Sequence, residues 1–166
     1  VENQAEQPAS GLGELVGGVD DVVDLAGLFL DGGTVDIDGS GDATFHRPML
    51  KVGFPVNVRA MNATYEMQFG GVERPTHFNT SYDLARYEVP GHKWSDLSEH
   101  GFGVSLLSES KYGFSTYGNM LRLSLLRSPK SPDPQADMGK HQFSYAILPH
   151  AGGWREAAAL YRQWFD

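Results

Sequence analysis

The sequence predicts a mainly β protein, an antiparallel β-sandwich with a short C-terminal helix. Three observations carry that expectation. From residue 49 onward, apolar side chains recur at every second position. Clusters of Gly, Pro and Asn separate these alternating runs, with no helical stretch between them. Residues 152–166 then change to a helical spacing. At 166 residues and 40% hydrophobic content, one domain with its own core is the expected organisation.

The chain opens on VENQAEQPASG, whose Pro, Gln, Ser and Glu content is that of a solvated tail, and its first ten residues are expected to be poorly ordered. LGELVGGVDDVVDLAGLFL follows, with Leu15, Val19, Val22, Val23 and Leu30 at roughly helical spacing. Gly17, Gly18 and Gly27 each weaken a helix there by about 1 kcal/mol, so a short helix and an irregular apolar segment fit equally.

The strands come next. KVGFPVNV puts Val52, Phe54, Val56 and Val58 on one face, and ATYEMQFG sets Tyr65, Met67 and Phe69 against Thr64, Glu66 and Gln68. FGVSLL aligns Phe102, Val104 and Leu106, LRLSLL aligns Leu121, Leu123 and Leu125, and FSYAIL aligns Phe143, Tyr145 and Ile147. In GGWREAAALYRQWFD, Trp154, Ala158, Tyr161 and Phe165 form one stripe among good helix formers.

Charge and composition narrow the function. The net charge of −8 argues against a nucleic-acid partner, which would require clustered Lys and Arg. Residues 1–46 hold ten acidic residues and no Lys or Arg, whereas the rest carries eleven acidic and thirteen basic residues. With no cysteine there is no disulfide framework, thiolate metal site or cysteine nucleophile, and the balance leans to the cytoplasm. No signal-peptide start and no run approaching the roughly 18 apolar residues of a membrane span is present, so no membrane partner is expected. Sequons at Asn62 and Asn79 matter only in a secreted chain.

Short motifs add little chemistry. GLGELVG has the wrong spacing for a dinucleotide loop, and neither a preceding strand nor a parallel βαβ unit accompanies it. DIDGSGDATFHR places Asp36, Asp38, Ser40 and Gly41 as a calcium loop would, but its twelfth position is Arg47 where a bidentate Glu belongs, so a Gly/Asp turn is expected. His46, His77, His92, His100, His141 and His150 form no H-x-H, H-E-x-x-H or H-x-D pair and are expected on the surface or hydrogen-bonded in loops. Asp83, Glu88, Asp96, Glu99 and Glu109 are carboxylate candidates that nothing in the sequence pairs as acid and base. No G-x-S-x-G elbow occurs, and Ser105 and Ser108 read as strand and turn residues.

One stretch does carry a message. ERPTHFNTSYDLARYEVPGHKWSDLSEHGFGVSLLSESKYGFS, followed by GNMLRLSLLRSPKSPDPQADMGKHQFSYAILPH, resembles the C-terminal β domain of glycoside hydrolase family 38, most closely its cytosolic-type α-mannosidases. MLKVGFPVNVRAMNATYEMQFGGVERPTH fits the same family as the strand pair leading into the polar connection. The resemblance divides the chain into an acidic Gly-rich segment at 1–45 that matches nothing in the family, a β-sandwich domain at 46–155 and a C-terminal helix at 156–166. Two departures stand out: Ser108-Glu109-Ser110 precedes Lys111-Tyr112-Gly113 where the family commonly has Asn-Asp, and LYRQWFD has no family counterpart.

The resemblance implies that the whole enzyme cleaves terminal α-mannosides with retention, through an Asp nucleophile and a divalent metal, usually zinc. Both would belong to an upstream catalytic barrel, so this chain is expected to hold no cofactor, no metal ligand and no catalytic residue of its own. Its implied partners are that barrel and α-mannoside oligosaccharides. His77, Asn79, Tyr82 and Asp83 would lie near substrate or orient the polar connection, with Lys111 and Tyr112 as the other lip. Interdomain packing is the competing role for the same residues, and Trp94 is expected to be a core or interface anchor. A free-standing carbohydrate-binding module and a structural remnant that self-associates as a homo-oligomer are the alternatives.

Overall fold

The computed structural model describes residues 29–37, 50–127, 129, 131–133 and 135–165. The expected tail, most of the apolar segment after it, and Asp38, Ser40, Gly41, His46 and Arg47 lie outside the described residues. Two sheets face each other, and a helix covers the back of one of them.

The larger sheet has six strands in the order β1-β10-β7-β6-β3-β4, comprising β1 (Phe29–Ile37), β3 (Asn62–Met67), β4 (Gly70–Pro75), β6 (Trp94–Glu99), β7 (Phe102–Ser108) and β10 (Gly139–Ala151). The smaller runs β2-β9-β8-β5, with β2 (Leu50–Pro55), β5 (Val89–Pro90), β8 (Gly113–Tyr117) and β9 (Met120–Leu126). Every pairing is antiparallel. Leu30 and Asp36, read as parts of an apolar segment and a calcium-like turn, are both residues of β1, paired with Tyr145 and Lys140 of β10.

Alternation explains the core between the sheets. Phe54, Tyr65, Leu97, Val104, Leu106, Phe114, Leu121, Leu123, Phe143 and Ile147 point inward from seven strands and are buried together. Removing a side chain the size of Phe114 from water contributes about 1.5–3 kcal/mol. One polar tie crosses this interior: the Tyr65 hydroxyl donates to Thr116 Oγ1 at 2.9 Å, joining β3 of one sheet to β8 of the other.

The opposite face of the six-stranded sheet forms a second core with α2 (Trp154–Phe165). Trp94, Leu107, Ala146 and Leu148 come from the strands and Ala157 and Tyr161 from the helix, with Trp154, Ala158 and Phe165 packed around them. The helical stripe read from the sequence is thus the buried one, and Trp94 is a core anchor, 4.7 Å from the Tyr161 ring centroid.

Besides β1, the structure differs from expectation at Phe69, at α1 and at His150. Phe69 does not share a face with Tyr65; it is fully exposed at the tip of the β3–β4 hairpin with φ of 69°, because Met67 pairs with Gly70 and the chain must reverse between them. The stretch between β4 and β5 is not free of helix, since Ser81–Ala85 forms the short helix α1. His150 is neither a surface nor a loop residue, for β10 buries it beneath α2.

Candidate functional site

The polar connection from Thr76 to Pro90 is tied to the sandwich at its start. The Thr76 amide donates to Met61 O at 2.9 Å, its hydroxyl to Ala60 O at 2.7 Å, and its carbonyl accepts from Gly118 N at 2.7 Å. Four residues on, Thr80-x-x-Asp83 forms a capping box: Thr80 Oγ1 accepts from the Asp83 amide at 3.1 Å while Asp83 Oδ2 accepts from the Thr80 amide at 3.0 Å. Asp83 also accepts from the Asn79 amide at 3.2 Å. Hydrogen bonding with the Thr80 side chain, outweighing slight desolvation and helped by the backbone amides and nearby His77, holds the Asp83 carboxyl below the ordinary carboxylate range.

His77, Asn79 and Asp83 are therefore neighbours, and Tyr82 projects from α1, 77% exposed. The His77 Nδ1 atom is buried without a hydrogen-bond partner among the described residues. Lys111 and Tyr112 sit elsewhere. Phe78 stacks on Tyr117 at the end of β8, with ring centroids 4.6 Å apart, whereas Tyr112 precedes the first residue of that strand. Five strand residues, about 16 Å, separate the two ends. The Lys111 ammonium lies 5.0 Å from the Phe143 ring centroid, and Tyr112 faces His92.

None of the five residues of α1 is buried, so the helix rests on its cap. Thr80→Ala should cost about 1 kcal/mol of local stability. Hydrogen exchange at the Leu84 amide, which bonds Thr80 O at 3.0 Å, is expected to accelerate roughly fivefold. Unchanged protection would show that something other than the cap holds the turn.

A second polar cluster lies under α2, and sequence reasoning did not assemble it. Asp96 of β6, Ser105 of β7, His150 of β10 and Tyr161 of α2 are each at most 3% exposed. Asp96 Oδ2 accepts from Ser105 Oγ at 2.6 Å and from His150 Nε2 at 2.6 Å, with Tyr161 Oη at 3.1 Å; Ser98 Oγ donates to Oδ1. The Ser105 and Tyr161 hydroxyls are 2.6 Å apart. Since Ser105 gives its single proton to Asp96, Tyr161 donates to Ser105.

The residue types of a hydrolase triad meet here, but they are wired differently. A nucleophilic serine needs an imidazole nitrogen with a free lone pair, oriented by a carboxylate on the other ring nitrogen. In this cluster one nitrogen, Nε2, meets both Ser105 and the carboxylate, and it carries the proton given to Asp96. Burial also bars a substrate. The cluster clasps α2 to the sheet.

Burial and the adjoining Asp96 carboxylate push the Tyr161 hydroxyl well above the ordinary tyrosine range, and burial raises Tyr65 as well. Both stay protonated when folded at a pH where the unfolded chain has lost those protons. Their stabilisation is complete below about pH 10 and declines above it, by up to about 1.4 kcal/mol per pH unit for each tyrosine. Urea midpoints measured between pH 9 and 11 should fall, and Tyr161→Phe should flatten the decline.

The other candidates are engaged singly. Glu88 pairs with Lys51 at 2.8 Å, Glu99 accepts from the Arg59 amide at 3.2 Å, and His141 lies 3.1 Å from Asp137 O. Among the described residues no three His, Asp or Glu side chains gather as metal ligands, so the divalent metal implied by the resemblance finds no fitting donor set there. No described helix is long and apolar enough to cross a membrane.

The family profile described as "Glycosyl hydrolases family 38 C-terminal domain" matches residues 34–135, more than half the chain. The chain belongs to this family. The family 38 domain is 58% identical over 111 residues to human Alpha-mannosidase 2C1, covering 67% of this chain and 11% of the relative. It is 56% identical over 112 residues to Alpha-mannosidase G of Dictyostelium discoideum, covering 68% and 10%. A yeast Alpha-mannosidase is 62% identical over 103 residues, covering 62% and 10%. The chain thus spans about a tenth of the length of these relatives. An α-mannosidase crystal structure from Enterococcus faecalis V583 shares the fold, with a TM-score of 0.59 at 15% identity over 70% of this chain and 14% of its own. The family profile begins inside β1, so part of that strand lies within the matched region.

Proposed function

We infer that this family 38 domain is the non-catalytic β region of an α-mannosidase, packing on a catalytic barrel that hydrolyses terminal α-mannosides with retention. The observation that carries this reading is α1, a helix with no buried residue that holds Tyr82 at 77% and Leu84 at 60% exposure. Five residues cannot sustain a helix alone in water, and apolar side chains on such an element call for a covering surface. In this reading the barrel supplies the Asp nucleophile and a divalent metal such as zinc. His77, Asn79, Tyr82 and Asp83 approach the substrate side of the junction, with Lys111 and Tyr112 at a separate contact. The cysteine-free composition agrees with a cytoplasmic enzyme.

The test is reconstitution. The purified chain with zinc or cobalt should not hydrolyse a chromogenic α-mannoside. Adding it to the separately expressed catalytic region of an α-mannosidase truncated of this domain should raise turnover about tenfold or more. Leu84→Asp should abolish the gain by placing a charge in the junction. Chelator-sensitive turnover by the chain alone, or no gain on mixing, would sink the reading. Binding of mannobiose by the chain alone without turnover would favour a carbohydrate-binding module instead.

A further inference from the structure

The outer face of the four-stranded sheet carries a groove that the docking role leaves unused. Alternation turns Lys51 of β2, Arg122 of β9 and Ser115 and Tyr117 of β8 away from the sandwich core, and the connection lays Phe78 and Tyr87 alongside, enclosing about 470 Å³. That volume lies within the range of small-ligand sites. Tyr82 and Leu84 are not among its walls.

The floor is cationic in a chain of net charge −8. Lys51 is fixed at one side by Glu88 at 2.8 Å. Arg122 has no carboxylate partner among the described residues, and it pairs across the strands with Gly53 and with Ser115. A guanidinium with no carboxylate partner among the described residues presents a planar fork that matches phosphate oxygens. Tyr87, 63% exposed, offers an apolar ring face with a hydroxyl tip beside it, and Tyr117, 52% exposed, is stacked on one face by Phe78 and leaves the rest of its ring and its hydroxyl to the groove.

We propose that this groove binds a pyranose carrying a phosphate monoester, with the phosphate on Arg122, flanked by Lys51 and the Ser115 hydroxyl, and the sugar ring against Tyr87 and Tyr117. The phosphate half rests on the charges in the groove; the sugar half rests on the α-mannosidase reading above. The site is a non-catalytic one, separate from the cap of α1.

Calorimetric titration of the 166-residue chain with mannose 6-phosphate, mannose and inorganic phosphate tests it. Mannose 6-phosphate should bind about tenfold or more tightly than either half alone. Arg122→Gln, at an exposed position, should keep the thermal midpoint and lose about tenfold in affinity for mannose 6-phosphate. Tyr87→Ser should weaken mannose 6-phosphate several-fold and leave inorganic phosphate unaffected. Equal affinities for mannose 6-phosphate and phosphate, an Arg122→Gln variant that binds normally, or the absence of any binding would each overturn the proposal. Reconstituted mannosidase turnover alongside such a failure would remove this site and leave the family reading standing.

Discussion

Asp96→Ala is expected to lower the unfolding free energy by roughly 3–5 kcal/mol, the cost of breaking a buried charge-assisted network by removing one member. Three donors converge on this carboxylate, from Ser98, Ser105 and His150, with the Tyr161 hydroxyl 3.1 Å away bridging through Ser105, and water cannot reach the cluster to replace it. Each donor left without an acceptor costs about 1–3 kcal/mol, partly relieved by rearrangement among the hydroxyls. Asp96→Asn should cost less than the alanine variant but remain harmful, because its amide nitrogen adds donors where only acceptors are wanted. Urea denaturation followed at the Trp94 and Trp154 fluorescence reads the effect, since both rings pack where α2 meets the sheet. Glu99→Ala, at an exposed carboxylate, is the comparison and should stay within about 0.5 kcal/mol. A loss below about 1 kcal/mol for Asp96→Ala would mean that the clasp contributes nothing beyond the apolar contacts around it.

Gly103→Ala is the second large effect, expected at roughly 1–3 kcal/mol as an overpacked site. Gly103 pairs across β6 with Ser98 and across β10 with His150, so the two polar side chains flank the same backbone position. A methyl group there would collide with Ser98 Oγ and with the His150 ring, forcing both away from Asp96. The damage therefore passes through the clasp, and a double-mutant cycle can detect this. In a His150→Ala background the ring is gone, and the added methyl should cost much less than it does alone. Additive losses would refute the coupling.

Legibility in the sequence followed the range of the interactions. Alternation in GVSLL and LRLSLL reports which side chains face the core, because a strand sets its faces locally. The same alternation puts Ser105 on the opposite face, which would ordinarily meet water, and Asp96 and Ser98 lie beside it on β6, a strand the sequence pattern did not single out. Only α2 makes that face an interior, and the bonds from Asp96 to His150 and Tyr161 join residues 54 and 65 positions apart. No local spacing encodes such a meeting. Helix α1 was too short for any periodicity to register, although Thr80-x-x-Asp83 has the spacing of a capping box. Phe69 misled in the opposite direction: its apolar character continued the strand pattern past Met67, into the Gln68-Phe69 turn that reverses the chain before Gly70 begins β4. In the connection, His77, Asn79 and Asp83 are close because they are close in sequence, whereas the distance to Lys111 and Tyr112 depends on how β8 runs between them.

The strand order has a consequence for how the chain is made. In the six-stranded sheet β1 pairs with β10, and β10 alone joins it to β7. The hairpins β3–β4, β6–β7 and β8–β9 close over short loops and can form early, whereas β1 must wait for a partner more than a hundred residues downstream. On a ribosome, β1 therefore emerges well before β10 and pairs with it only after residue 151 has cleared the exit tunnel. Throughout that interval the edge of β7 that β10 will cover stands open, with unpaired backbone groups that a second strand could match.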